Sequence, residues 1–167
     1  VEDYSEIVIR ELLINALAHR SLSRQQIVEI RKFDDGGYLE IESPGPFPEG
    51  VTKDNYLRKT NPRNPNVMDI LREIGLAEKA GSGFDKIFTD LLKKGKSLPE
   101  PEETETSVIF RIKADVVSEK LIELSLQYES QVGKPMKLDE LLILSEIINH
   151  KQVKVADLAL SPNISPY

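Results

Sequence analysis

Apolar residues return at Ile9, Leu12, Leu13, Ala16 and Leu17, the i, i+3, i+4, i+7, i+8 spacing of one helix face. With Asp3 or Ser5 available as an N-cap, this predicts a helix over about residues 5–19. The period then changes to two. Ile27, Glu29, Arg31 and Phe33 interleave with Val28 and Ile30, Asp34-Asp35-Gly36-Gly37 supplies turn residues able to adopt positive φ, and Tyr38–Glu42 follows, which together predict a β-hairpin. From Ser43 to Asn66 the chain is punctuated by Pro and Gly, a loop length that in a compact domain is usually functional or mobile. Helical spacing resumes at Val67, Ile70, Leu71 and Ile74 and stops at Gly75; it returns at Phe84, Ile87, Phe88, Leu91 and Leu92 and stops at Gly95. An acidic, proline-containing stretch, Pro99–Glu105, precedes Ser107–Lys113, which reads as a buried strand. Ser118–Gln131 predicts a further helix, with Leu121, Leu124 and Tyr128 on one side, broken by Gly133-Lys134-Pro135. Leu138, Leu141, Leu142 and Ile148 mark another, a turn falls near His150, and Val155, Leu158 and Ala159 mark the last.

The expected organisation is therefore an α+β domain over residues 1–114, a connecting helix over 115–133, and a small helical segment over 134–167. The two strongest apolar stripes, on helix 5–19 and on the helix from Phe84, are expected to pack on one face of a sheet built from strands near 27–33, 38–43 and 107–113. The 167 residues contain no apolar run approaching the ~20 that a membrane span requires, so a soluble chain without membrane contact is expected. Cysteine is absent, which removes disulfides and thiolate zinc sites and makes the cytoplasm the default location. Two histidines alone make a zinc site improbable, and His150 reads as a residue favoured by a helix C-terminal dipole. The chain reads as a fragment of something longer. A net charge of −6 opposes extended contact with a polyanion and makes DNA binding by the bulk of the chain unexpected.

Chemistry concentrates in two places. Glu11, Asn15 and His19 are four apart and stack on one helix face, with Arg20 beside them. A solvated polar stripe is the simple alternative. Ile7, Ile14 and Ala18 flank the stripe, however, so the helix is apolar nearly all round and the polar row is expected to face a cleft. A Glu and an Asn so spaced can supply a base for water and an oxygen ligand for Mg²⁺, the needs of phosphoryl transfer. The second place is Gly81-Ser82-Gly83, opening the helix from Phe84, where small residues allow backbone N–H groups to approach phosphate oxygens at the positive end of the helix dipole. A plain N-cap by Ser82 is the alternative. Gly95-Lys96-Ser97 imitates the end of a P-loop, but the first glycine would fall at Asp90 and no strand precedes it. The chain thus carries no Walker A motif, and a helicase motor is not expected.

Taken in order, Glu11-Leu-Leu-Ile-Asn15-Ala-Leu-Ala-His19-Arg20, Ile41-Glu-Ser-Pro-Gly45-Pro-Phe-Pro, Arg63-Asn64-Pro65 and Glu78-Lys-Ala-Gly81-Ser-Gly83 resemble the RecG-related transcriptional regulators, often labelled "ATP-dependent DNA helicase RecG C-terminal". Their C-terminal domain looks like a diverged GHKL ATPase, a Bergerat-like two-layer α/β sandwich. The resemblance implies that Glu11 is the catalytic N-box acid that orients or deprotonates water and that Asn15 holds Mg²⁺. It implies nucleotide contacts for Asn15, His19, Arg20, Gly45, Arg63, Asn64, Gly81, Ser82 and Gly83, and a lid over residues 46–66. ATP and Mg²⁺ are the implied ligand and cofactor. The DxGxG motif of GHKL ATPases, whose Asp reads the adenine amino group, is replaced by Ser43-Pro-Gly45-Pro-Phe47, which implies a poorly anchored base.

The tail from Lys137 to Tyr167 resembles the opening of a winged helix, with Val153–Leu160 as a second short helix and the recognition helix beyond the end; an ordinary helical hairpin is the alternative. The expected function is a nucleotide-binding-like regulatory module of a bacterial-type transcriptional regulator, with DNA bound by the full-length parent rather than by this chain, and with homodimerisation open. An active Mg²⁺-dependent ATPase and a degenerate structural or dimerising domain stand as alternatives.

Overall fold

The computed structural model describes residues 4–23, 25–57, 59, 61–77 and 82–150. The elements run α1 (Glu6–His19), β1 (Glu29–Phe33), β2 (Tyr38–Pro44), α2 (Pro65–Glu73), α3 (Ser82–Lys93), β3 (Pro101–Glu103), β4 (Ser107–Lys113), α4 (Glu119–Val132) and α5 (Leu138–Asn149). They form two compact units, one comprising residues up to Ile87 with Pro99–Ala114, the other Phe88–Leu98 with the residues from Asp115 onward.

The first unit is a four-stranded antiparallel sheet in the order β1-β2-β4-β3. Strand alternation separates its faces. Leu39, Ile41 and Ser43 of β2 stand opposite Ile112, Phe110 and Val108 of β4, and these residues look toward the helices. The Ser43 hydroxyl donates to the Ala16 carbonyl of α1 at 3.0 Å, and the Phe84 ring of α3 lies 5.6 Å from that of Phe110. Helix α1 and, through Phe84, the first turn of α3 therefore share one face of the sheet. Ile14 and Ala18 pack against Leu71 of α2, with Val67, Met68 and Ala77 around them.

The opposite face is charged. Arg31 pairs with Glu29 at 2.9 Å, with Glu40 at 3.4 Å and with Glu42, and Arg111 pairs with Glu40 at 2.6 Å and Glu102 at 2.7 Å. Glu40 is buried, and two guanidinium groups compensate its desolvation.

Several expectations are corrected. The first strand begins at Glu29, not 27, and Ile27 lies before it, 68% exposed. Ser107–Lys113 is buried on one face only, because Arg111 belongs to the charged face. The acidic stretch contains a strand, β3, that no periodicity announces. Three residues are too few to show alternation, and the hairpin is held by its turn, where the Ser107 N–H donates to Thr104 Oγ1 at 2.9 Å and the Thr104 N–H to the Ser107 carbonyl at 2.8 Å. Helix α2 begins at Pro65, with the proline in its first turn, so the preceding loop is shorter than the punctuation suggests.

In the second unit, Ser118 caps α4 by accepting from the Leu121 N–H at 3.2 Å, and the helix ends at Gly133. Phe88, Leu91, Leu92, Leu121, Leu141 and Leu142 are its buried apolar residues. Helix α5 follows, with the Lys137 N–H donating to the Glu140 carboxylate at 2.7 Å. The expected helix Val153–Leu160 lies outside the described residues.

Candidate functional site

Helix α1 carries Glu11, Asn15 and His19 on one face, as the spacing of four requires. Asn15 and His19 look into a cleft between α1, the apolar face of β2 and β4, the start of α3 and the loop that follows β2. Glu11, only 6% exposed, lies one turn deeper, with its carboxylate 3.4 Å from the Lys86 ammonium of α3 and 3.5 Å from Arg10. Gly83, in the first turn of α3, comes directly against this row. A methyl group in place of its hydrogen would stand 3.3 Å from Glu11 Oε2, a tight contact, and 3.6 Å from Asn15 Nδ2, an ordinary one, so a side chain here would press on Glu11.

Gly45 closes the cleft on the loop side with φ of +96°, a left-handed conformation that costs a residue with a Cβ. Space forbids one as well: the added carbon would lie 2.9 Å from Ser21 Cβ and against the Arg63 guanidinium. Arg63 donates to the Pro46 carbonyl, and Asn64 donates to the carbonyls of Ala18 at 3.1 Å and Arg20 at 2.8 Å. These two residues hold the loop closed against the end of α1.

Asn15, His19, Gly45 and Gly83 thus meet at one cleft, with Glu11 beside them. Arg20 turns away and donates to the Gln26 carbonyl at 2.8 Å. Ser82 opens α3 and is not among the cleft residues, and Gly81 lies outside the described residues.

Three buried nitrogen atoms have no hydrogen-bond partner among the described residues: Asn15 Nδ2, His19 Nδ1 and Arg20 Nε. Burial, reinforced by the charge of Arg63, holds the His19 imidazole below the ordinary histidine range and therefore favours its neutral form. No group of three or more His, Asp or Glu suited to a metal occurs among the described residues.

The residues missed from the sequence are aromatic. Tyr56, from the loop, meets Phe84 edge-on at 4.9 Å, Phe110 at 5.9 Å and Phe47 at 6.1 Å. Burial, with the Glu100 charge adding to it, pushes the Tyr56 phenol far above its ordinary range. The available signal was the placing of two aromatic residues, Phe47 and Tyr56, in a stretch otherwise rich in Pro, Gly and Asn. Lys86 was missed because nothing in α3 alone shows that it reaches Glu11, 75 residues away in sequence.

An antiparallel sheet layered on one side by helices, with a polar row of the first helix facing a glycine at the start of another, defines an α+β protein with an interlayer cleft. Residues 25–113, more than half of the chain, match the HATPase_c_4 family model, described as "Putative ATP-dependent DNA helicase recG C-terminal", and the chain belongs to this family. The match begins after α1, so Glu11, Asn15, His19 and Arg20 precede it. The fold is similar to that in the crystal structure of the DIP2311 protein from Corynebacterium diphtheriae, with a TM-score of 0.84 and 22% identity over 98% of this chain and 34% of that one. The chain thus spans about a third of that protein's length. A search of curated proteins finds no match. No helix among the described residues is long and apolar enough to cross a membrane.

Proposed function

We propose that this chain is a nucleotide-binding-like regulatory module of a GHKL-type sandwich, from a bacterial-type transcriptional regulator, in which hydrolysis is slow or absent. The observation that carries the reading is the meeting of Asn15 and Gly83 at one cleft beside Glu11, since residues so far apart in sequence have no local reason to converge. The unpartnered Asn15 amide is the sort of group a ligand satisfies.

Asn15 would offer Mg²⁺ its amide oxygen, which fits an ion usually held by few protein oxygens with water and phosphate supplying the rest. When bound, Mg²⁺ would offset phosphate charge and help polarise the terminal phosphoryl group. The protein's own part is to orient: Gly83 allows close approach to the start of α3, and Glu11 stands where it could accept a proton from water. Ser43, in the position of the adenine-reading Asp, is engaged with the Ala16 carbonyl and offers no carboxylate. A loosely held base leaves the triphosphate poorly aligned, and alignment supplies most of phosphoryl-transfer catalysis.

The Glu11–Lys86 pair favours a second reading, a scaffold domain that holds no nucleotide, because it gives the acid an internal partner. Thermal-shift measurements with ATP, ADP and GTP, each with and without Mg²⁺, separate the two. A Mg²⁺-dependent rise in melting temperature is expected, and no shift with any nucleotide leaves only the scaffold. As finer parts of the same reading, α5 is the first helix of a winged helix, DNA is contacted by the full-length parent, and the location is cytoplasmic.

A further inference from the structure

Among the described residues the sheet ends at β1. β1 pairs with β2 on one side, and no strand among the described residues pairs with it on the other. Such an edge is a row of backbone donors and acceptors ready for another strand, and most proteins blunt it with charge, proline or a bulge. Here the strand is regular over Glu29–Phe33 and contains no proline, and the charge it carries, at Glu29, Arg31 and Lys32, is of both signs. Ile30, 48% exposed, and Phe33, 36% exposed and stacked on Tyr38, lie along it, and Ile27, 68% exposed, lies just before it.

The charges on this edge are self-complementary in one register. A two-fold axis that continues a sheet across an edge stands perpendicular to it, so every register pairs one central residue with its own copy and keeps the faces of the two sheets aligned. Centring on Glu29 or Arg31 sets like charges against each other, and centring on Lys32 does the same. Centring on Phe33 brings the turn Asp34–Gly37 into the ladder. Centring on Ile30 pairs Ile30 with itself, Glu29 with Arg31 on both sides of the axis, Val28 with Lys32, and Ile27 with Phe33. Both charge pairs fall on the face that already carries the Arg31–Glu40–Arg111 row. That face holds four carboxylates, Glu29, Glu40, Glu42 and Glu102, around two guanidinium groups, Arg31 and Arg111. A second copy leaves this ratio unchanged, and what the register adds is placement: each Arg31, already 2.9 Å from Glu29 of its own chain, gains Glu29 of the other copy opposite it.

We infer that the β1 edge is a homodimer interface, in which a second copy of this chain pairs antiparallel to Glu29–Phe33 about a two-fold axis through Ile30. The inference is independent of whether the cleft binds nucleotide. A short strand buries little area, so the dimer is weak and concentration-dependent.

Sedimentation velocity of this chain, at loadings from about 10 to about 500 µM, reads the equilibrium directly. The wild type is expected to shift from monomer to dimer across the range. Glu29→Arg alone places Arg opposite Arg, Arg31→Glu alone places Glu opposite Glu, and each is expected to weaken dimerisation about tenfold or more. Mixing the two variants restores both pairs in a heterodimer, so the equimolar mixture is expected to dimerise like the wild type. Should Arg31→Glu fail to fold, Ile30→Lys and Ile30→Asp, exposed substitutions on the axis, give the same test: each alone monomeric, the mixture dimeric. A wild type that stays monomeric throughout, a dimer indifferent to these variants, or mixtures that fail to recover would overturn the inference.

Discussion

Gly83 lies so close to Asn15 that a single methyl group at the glycine would stand 3.6 Å from the Asn15 amide nitrogen and 3.3 Å from the Glu11 carboxylate. The conformation of Gly83 is not left-handed, so alanine suits its backbone and gains up to about 1 kcal/mol of helix propensity. Gly83→Ala is therefore expected to keep or slightly raise the melting temperature of the free chain while abolishing any Mg²⁺-nucleotide shift. Loss of stability together with retention of the shift would show that the close approach serves packing alone.

Turnover is expected to be slow or absent. On the proposed reading Glu11 is the base, but Ser43, in the position of the adenine-reading Asp, is committed to the Ala16 carbonyl, and a mobile triphosphate does not present its terminal phosphorus in line. Phosphate release under excess ATP checks this. Steady turnover that vanishes in Glu11→Ala would reverse the conclusion.

Ser43→Asp introduces the carboxylate that GHKL ATPases carry in their DxGxG motif and removes the hydroxyl donor to Ala16, placing negative charge beside that carbonyl. Stability is expected to fall by about 1–3 kcal/mol. If the cleft is a nucleotide site, the variant should also favour ATP over GTP in thermal-shift titrations more than the parent does. Equal response to both nucleotides would place the base elsewhere.

His19 links stability to pH. Its folded-state pKa lies below the ordinary 6.5, so between the two values the unfolded chain binds a proton that the folded chain refuses. Above 6.5 both states are neutral and the group contributes no pH dependence; as pH falls below 6.5 its contribution turns progressively against the fold. Urea midpoints measured on either side of this value should show the loss, and His19→Gln should flatten it. An unchanged slope in the variant would assign the effect to other groups.

Duplex DNA should bind this chain no better than it binds any acidic protein. The net charge of −6 repels phosphate within a Debye length, and Lys134, Lys137, Lys151 and Lys154 are balanced by Asp139, Glu140, Glu146 and Asp157. Fluorescence anisotropy at low and moderate salt decides the matter. Sequence-specific binding would point to another surface, such as the loop that carries Lys59 and Arg63.

Much of the secondary structure was legible because it depends on local periodicity and on a few residues with special backbone needs. Leu12 and Ala16 mark the buried side of α1, Gly75 and Gly95 follow α2 and α3, and Asp34–Gly37 turns the first hairpin. β3 was not legible, since a three-residue strand shows no alternation and exists because β4 offers it an edge. Of the cleft, the Glu11–Asn15–His19 row was visible as a spacing and Gly83 as a small residue at a helix start. Arg63 and Asn64, implied as ligand contacts, bind backbone carbonyls, a choice made by neighbours remote in sequence.

The sequence by itself determined which faces are apolar, where helices stop and which side chains can share a helical row, because each follows from the fixed geometry of 3.6 and 2.0 residues per repeat. Tertiary structure alone decided what those rows meet. Glu11 finds Lys86, Ser43 is drawn to the Ala16 carbonyl, and Tyr56 folds onto Phe84 and Phe110, because packing α1 and the first turn of α3 on one sheet face brings these polar and aromatic groups together in the space that remains.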